Sequence, residues 1–175
     1  MVDSEYILPY LEGRLGNNLF MIANAYAKSL EYNKKLVIAR EQVMYEGNDY
    51  SQNIFRKLEF IDGFNEEGSV INPSSPSNST FTVYRGYFQS EKHFEKYKKE
   101  VVELFSPTDE FIERIKRELP IIFEKNTLVI NVRRGDYLNL SNYHPIVSRE
   151  YIYSVPYIPS TEHILIVSGD IKWCK

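Results

Sequence analysis

At 175 residues the chain has room for one well-packed domain, or for one domain and part of a second. With 43% hydrophobic and 26% charged residues its composition is that of a globular protein, which excludes a disordered or fibrous chain, and a net charge of -3 excludes general affinity for nucleic acid. The single cysteine, Cys174, excludes an internal disulfide framework or a cysteine-built zinc site and fits a reducing compartment.

The first element in the chain is a strand predicted over residues 6–10, followed by a glycine turn through Gly13 and Gly16. From Leu19 the apolar residues Ile22, Ala23, Tyr26 and Leu30 recur at helical spacing, and Asn17 or Asn18 is placed to cap that helix. Leu36, Val37 and Ile38 form a compact second strand, so the opening reads as a βαβ unit. A short helix is expected over residues 52–58 and a surface loop over the turn-forming tract 72–80. Phe81 to Tyr84 resume as a strand, and Ser90 and Glu91 start a helix whose lysines alternate with glutamates, the pattern of a solvated face. A further helix over 108–118 is capped by Thr108 or Asp109 and ends before Pro120, which marks a domain boundary: residues 1–120 and 121–175.

Beyond Pro120, Val129-Ile130-Asn131-Val132 is read as a buried strand that delivers Arg133 and Arg134 to its exposed end. The carboxyl ends of such strands are where open α/β sheets bind ligands, and arginine's planar fork matches phosphate oxygens while staying charged. A pairing of either arginine with Asp136 is the plain structural alternative. A short element follows over 148–153, then a last buried strand from His163 to Val167, and a turn at Ser168-Gly169-Asp170.

Several chemistries find no support. The glycine turn matches neither the dinucleotide fingerprint nor a P-loop, and no G-x-S-x-G element is present. The three histidines, His93, His144 and His163, lack ligand spacing, so no metal is expected. The sequons at Asn78 and Asn139 and the Arg134-Gly135-Asp136 tripeptide are read as chance. Neither a signal peptide nor a membrane span is legible, so a cytoplasmic protein is expected. The helix N-terminus behind the glycine turn favours an anion or a hydroxyl-rich ligand, a lone turn of this kind being more often just a turn; with the arginine strand it makes two sites, one from each half, that could face each other across a cleft.

Four segments together resemble one family. Gly13-Arg14-Leu15-Gly16-Asn17-Asn18-Leu19-Phe20, Gly86-Tyr87-Phe88-Gln89-Ser90-Glu91-Lys92-His93-Phe94, Asn131-Val132-Arg133-Arg134-Gly135-Asp136-Tyr137 and Val167-Ser168-Gly169-Asp170-Ile171-Lys172-Trp173-Cys174-Lys175 are similar, in this order, to motifs of the α-1,2-fucosyltransferases of glycosyltransferase family 11. The resemblance implies a GT-B architecture: a Rossmann-like N-terminal domain on the acceptor side and the start of a second Rossmann-like domain that binds the nucleotide sugar. It implies an inverting, metal-independent transfer of fucose from GDP-fucose to a galactoside 2-hydroxyl, with a glycan acceptor and no cofactor beyond the donor.

In that picture Arg133 and Arg134 hold the diphosphate and Asn17 supplies a neutral donor. Gly13, Gly16, Asn131, Ser168 and Asp170 complete the donor-binding set, and Asp136 with Arg133 are the catalytic candidates. Asn131 stands where the family has histidine, Arg14 replaces a glycine, Asn18 a glutamine and Gly169 an aspartate. Asparagine can donate a hydrogen bond but does not titrate near neutrality. Family members continue past the tryptophan-cysteine segment, so a second chain completing the donor domain is one expectation. The alternatives are a non-catalytic glycan- or partner-binding remnant of the scaffold and an O-fucosyltransferase with a peptide acceptor.

Overall fold

The computed structural model describes residues 5–45, 48–63, 81–156 and 158–175; the tract 72–80, expected to be a surface loop, lies outside them. The chain divides into two compact units, Met1–Pro107 and Thr108–Lys175, so the helix that ends before Pro120 belongs with the second unit.

In the first unit the order is β1 (Tyr6–Pro9), α1 (Leu15–Tyr32), β2 (Lys35–Leu36), β3 (Ile38–Ala39), β4 (Met44–Tyr45), β5 (Asn48–Asp49), β6 (Phe60–Ile61), β7 (Phe81–Tyr84) and α2 (Lys98–Phe105). β1 pairs in parallel with β2 on one edge and with β7 on the other, in the register Tyr6–Phe81 to Pro9–Tyr84. The single strand expected at Leu36 to Ile38 is divided, because successive residues of an extended chain bond to opposite sides. Val37 donates to the Ile7 carbonyl and Ile38 to that of Glu59, joining β1 to the β3–β6 pair. Parallel strands linked through a helix make this an α/β fold.

α1 begins earlier than its apolar spacing suggests. Gly13 at φ 75° turns the chain, Arg14 is extended, and the helix runs from Leu15 with no side-chain cap. Asn17 and Asn18 therefore lie inside the first turn and cap nothing. At the other end Asn33 adopts the left-handed conformation, its amide closing on the Leu30 and Ser29 carbonyls. Met21, Ile22, Ala23, Ala25 and Ala27 are buried, whereas Leu30, expected on the core face, is exposed. Leu11, Met21, Ile22, Ile38, Val43, Phe55 and Leu104 pack into one core, each burial contributing about 1.5–3 kcal/mol for the larger side chains. Asn18 Oδ1 and Asn24 Nδ2 are buried on the same helix without a partner among the described residues, at a cost of about 1–3 kcal/mol each.

The helix expected over 52–58 is instead a 3-10 turn, Tyr50–Gln52, followed by non-helical turns. Asp49 caps it, accepting from the Ser51 amide at 2.8 Å, and Asn53 at φ -125°, ψ -92° stops it. Similarly Ser90 caps a 3-10 turn, Glu91–His93, rather than a full helix, and α2 starts only at Lys98.

In the second unit the order is α3 (Asp109–Glu118), α4 (Ile121–Glu124), β8 (Thr127–Val132), α5 (Arg149–Tyr153), β9 (His163–Ser168) and α6 (Ile171–Cys174). Thr108 caps α3, its hydroxyl accepting from the Phe111 amide at 3.1 Å. β8 and β9 pair in parallel from Thr127–His163 to Val132–Ser168. Both strands were expected to be buried, and the structure corrects this. Val132 is buried, but Val129 is 56% exposed and Ile164, Ile166 and Val167 are also exposed. A two-stranded parallel ribbon offers apolar residues to both faces, and the short helices around it do not cover them.

Candidate functional site

In the first unit two of the four motifs meet at the start of α1. Asn17 Oδ1 accepts from Gln89 Nε2 at 2.7 Å, and the Phe20 and Phe94 rings lie 6.2 Å apart. Gly13 is needed twice over: its φ is positive, and a Cβ there would collide with the Asn17 amide. Gly16 faces open space. Gln89 follows a strained residue, Phe88 at φ 47°, a conformation costing roughly 1–2 kcal/mol for a residue with a Cβ. The Phe88 ring meets His93 edge-on, with ring centroids 5.5 Å apart. Sequence reasoning misses Gln89 as a site residue. Its only sequence signal was its place between a glycine-aromatic turn and a serine cap.

In the second unit the carboxyl ends of β8 and β9 gather a denser set. Arg134 is 14% exposed in its side chain; its Nε donates to Asp170 Oδ2 at 3.2 Å and its guanidinium lies over the Trp173 ring, 4.1 Å from the centroid. Asp170 also caps α6, accepting from the Trp173 amide, and its own amide donates to Ser168 Oγ at 2.9 Å. Register explains the gathering: parallel pairing of Val132 with Ser168 puts Arg134 and Asp170 each two residues beyond the same rung. A cation on a strand end, tied at Nε and stacked on one face, is held ready for an anion.

Arg133 is placed differently. It is 44% exposed, bonds Asp136 at 2.9 Å and lies over Tyr137, 4.8 Å from the ring centroid. Tyr137 stacks on His144 with centroids 4.1 Å apart. Asp136 is thus engaged by Arg133, but at the surface rather than in a closed buried pair. Asn131 is exposed on β8 opposite Val167. Near the head of α5, the Glu150 carboxyl is held below its ordinary range by its own backbone amide and then by the Ser148 hydroxyl. Among the described residues no group of three or more histidine, cysteine or acidic side chains could hold a metal, and no helix is long and apolar enough to cross a membrane.

The structure therefore joins Gly13 and Asn17 with Gln89 in one unit, and Arg134, Ser168 and Asp170 with Trp173 in the other. Over 206 residues the chain is 25% identical to an alpha-1,2-colitosyltransferase of Escherichia coli, covering 97% of this chain and 70% of that protein. That likeness supports a glycosyltransferase. No model of a known family matches the chain, and no solved structure matches it.

Proposed function

We propose that the chain is an inverting fucosyltransferase of GT-B type, moving fucose from GDP-fucose to the 2-hydroxyl of a galactoside. The observation that carries this reading is the oriented guanidinium of Arg134, on a strand end between Asp170 and Trp173. As the glycosidic C–O bond breaks, negative charge grows on the β-phosphate while the sugar ring becomes cationic. A cation fixed beforehand stabilises that charge more than it stabilises the bound donor. The acceptor hydroxyl attacks the anomeric carbon from the face opposite the departing GDP, and its proton passes to a carboxylate. Asp136, kept beside Arg133, takes that role in this reading. Asn17, its amide engaged by Gln89, offers a neutral donor to a hydroxyl-rich ligand.

A second reading is favoured by the relative named for colitose, a sugar that is fucose without its 3-hydroxyl. Here the donor would be the corresponding nucleotide colitose. A site that hydrogen-bonds the 3-hydroxyl discriminates strongly against its absence, so competition between the two donors separates the readings.

The test is calorimetric titration with GDP and GDP-fucose, followed by product analysis with a galactoside acceptor. Arg134→Ala should weaken GDP binding by about one to two decades, the loss of a hydrogen bond to a charged group worth about 1.5–3 kcal/mol. Arg133→Ala, exposed and shared with Asp136, should change it by less than about fivefold. A folded wild-type chain that binds neither ligand overturns the proposal.

A further inference from the structure

Trp173, the one tryptophan of the chain, is the platform for Arg134, and three elements of the second unit converge on it. Arg134 approaches its ring from the end of β8, 4.1 Å from the centroid, and Arg149, the first residue of α5, from 5.3 Å. Arg149 Nη2 also donates to the Trp173 carbonyl at 2.9 Å. The Trp173 amide donates to Asp170 Oδ1 at 3.2 Å, and the other oxygen of the same carboxylate accepts from Arg134 Nε. The terminal nitrogens of Arg134 have no hydrogen-bond partner among the described residues.

From this geometry we infer that Arg149 and Trp173 are positioning residues. They clamp Arg134 so that its two terminal nitrogens are presented, already oriented, to a polyphosphate anion. The inference rests on the reading of Arg134 as the ligand of the donor diphosphate. Two physical effects support it. An arginine side chain has many rotamers, and one that is stacked and tied at Nε before the anion arrives loses less freedom on binding. Asp170 alone would orient Arg134 while cancelling its charge. With Arg149 on the same ring, the cluster of two guanidinium groups and one carboxylate stays net positive. Arg149 thus does what Asp170 cannot: it fixes the platform without neutralising the cation.

A purely structural Arg149, one that only ties α5 to α6, makes a different prediction, and the lone tryptophan supplies the readout. The full chain is titrated with GDP and, separately, with inorganic pyrophosphate while Trp173 emission is followed, for wild type, Arg149→Ala and Arg149→Lys. Circular dichroism on each variant confirms an unchanged fold. Wild type should give a saturable change with both ligands. Arg149→Ala should weaken both by roughly three- to tenfold, the scale of a partly desolvated cation–π contact. Arg149→Lys should recover little, because an ammonium lacks the planar fork that stacks and bonds at once.

Arg149→Ala binding both ligands as wild type does, or full recovery in Arg149→Lys, overturns the clamp. A wild-type response to pyrophosphate but not to GDP upholds the clamp and overturns the nucleotide-sugar donor. A folded wild-type chain that responds to neither overturns both.

Discussion

Up to Pro107, Ile7, Leu8 and Pro9 of β1 are buried, as are Met21 and Ile22 of α1, and Phe55 from a turn and Leu104 from α2 close the core. From Thr108 on, β8 and β9 are longer and just as rich in valine and isoleucine, yet Val132 is the buried hydrophobic side chain among their described residues. The difference lies in what surrounds the strands. α1 is an 18-residue helix, long enough to lie along β1, whereas α4, α5 and α6 have four or five residues each. Sequence hydrophobicity states what a strand needs, and the length of its neighbours decides whether the need is met.

The polar groups show the opposite trend. The first unit places a neutral amide pair, Asn17 and Gln89, at its helix start, while the second concentrates charge, with Arg134, Asp170 and Arg149 around one indole. A packed scaffold with a neutral hydrogen-bonding site suits a sugar. A charged strand end suits a phosphate.

The largest test of this contrast is a pair of truncations followed by denaturant unfolding. Phe55→Ala should destabilise by about 3–5 kcal/mol, since it leaves a cavity in a closed core. Val129→Ala should stay within about 0.5 kcal/mol of wild type. A core-sized loss at Val129 would break the comparison by showing that the β8–β9 face is covered in solution.

A smaller effect separates two glycines at positive φ, one from each unit. Gly135→Ala meets open space and should cost only the left-handed strain, about 1–2 kcal/mol. Gly13→Ala carries the same strain and also strikes the Asn17 amide, so its loss in thermal unfolding should be larger. Equal losses would mean that Asn17 moves freely, and that the Asn17–Gln89 contact does not order the helix start.

The smallest expected effect is on acid stability. The Lys57 ammonium, hydrogen-bonded to Glu103, holds that carboxyl below its ordinary value, and the Ser51 hydroxyl and amide do the same for Asp49. In the second unit Lys116 lowers Glu113 likewise. A carboxyl lowered in the folded state adds stability above its unfolded pKa, and that stability is lost as pH falls through the folded value. Unfolding midpoints should therefore decline below about pH 4, the ordinary carboxylate range. Glu103→Gln should flatten the decline slightly; a steeper profile in that variant would contradict the pairing with Lys57.

Much of the fold was legible because its signals are local. β1, β7 and α3 follow from apolar runs, a Thr108 cap and the stop at Pro120, whereas the short element at 148–153 shows itself as the Ser148-capped helix α5 only in the structure. The start of α1 is not legible, because apolar spacing shows where a helix is packed, not where its backbone begins. The left-handed Gly13 sets that point. Residues 52–58 and those after Ser90 suggest helix because a single capped turn and the first turn of a helix look alike in sequence; what forms is a 3-10 turn at Tyr50–Gln52 with non-helical turns after it, and a 3-10 turn at Glu91–His93.

The site divides along the same line. That arginines end β8 was plain from Val129-Ile130-Asn131-Val132-Arg133-Arg134 alone. Which of the two is oriented was not, since that depends on the register of β8 with β9, which pairs residues far apart in sequence.

By itself, the sequence determined the α/β character, the placing of arginines at a strand end and the glycine turn before α1, because each is written in neighbouring residues. Only the tertiary structure decided that Arg134 rather than Arg133 is tied to Asp170 and stacked on Trp173, that Gln89 engages Asn17, and that β8 and β9 stay exposed. Those outcomes rest on contacts between residues tens of positions apart, and local sequence pattern carries no record of which distant side chain arrives.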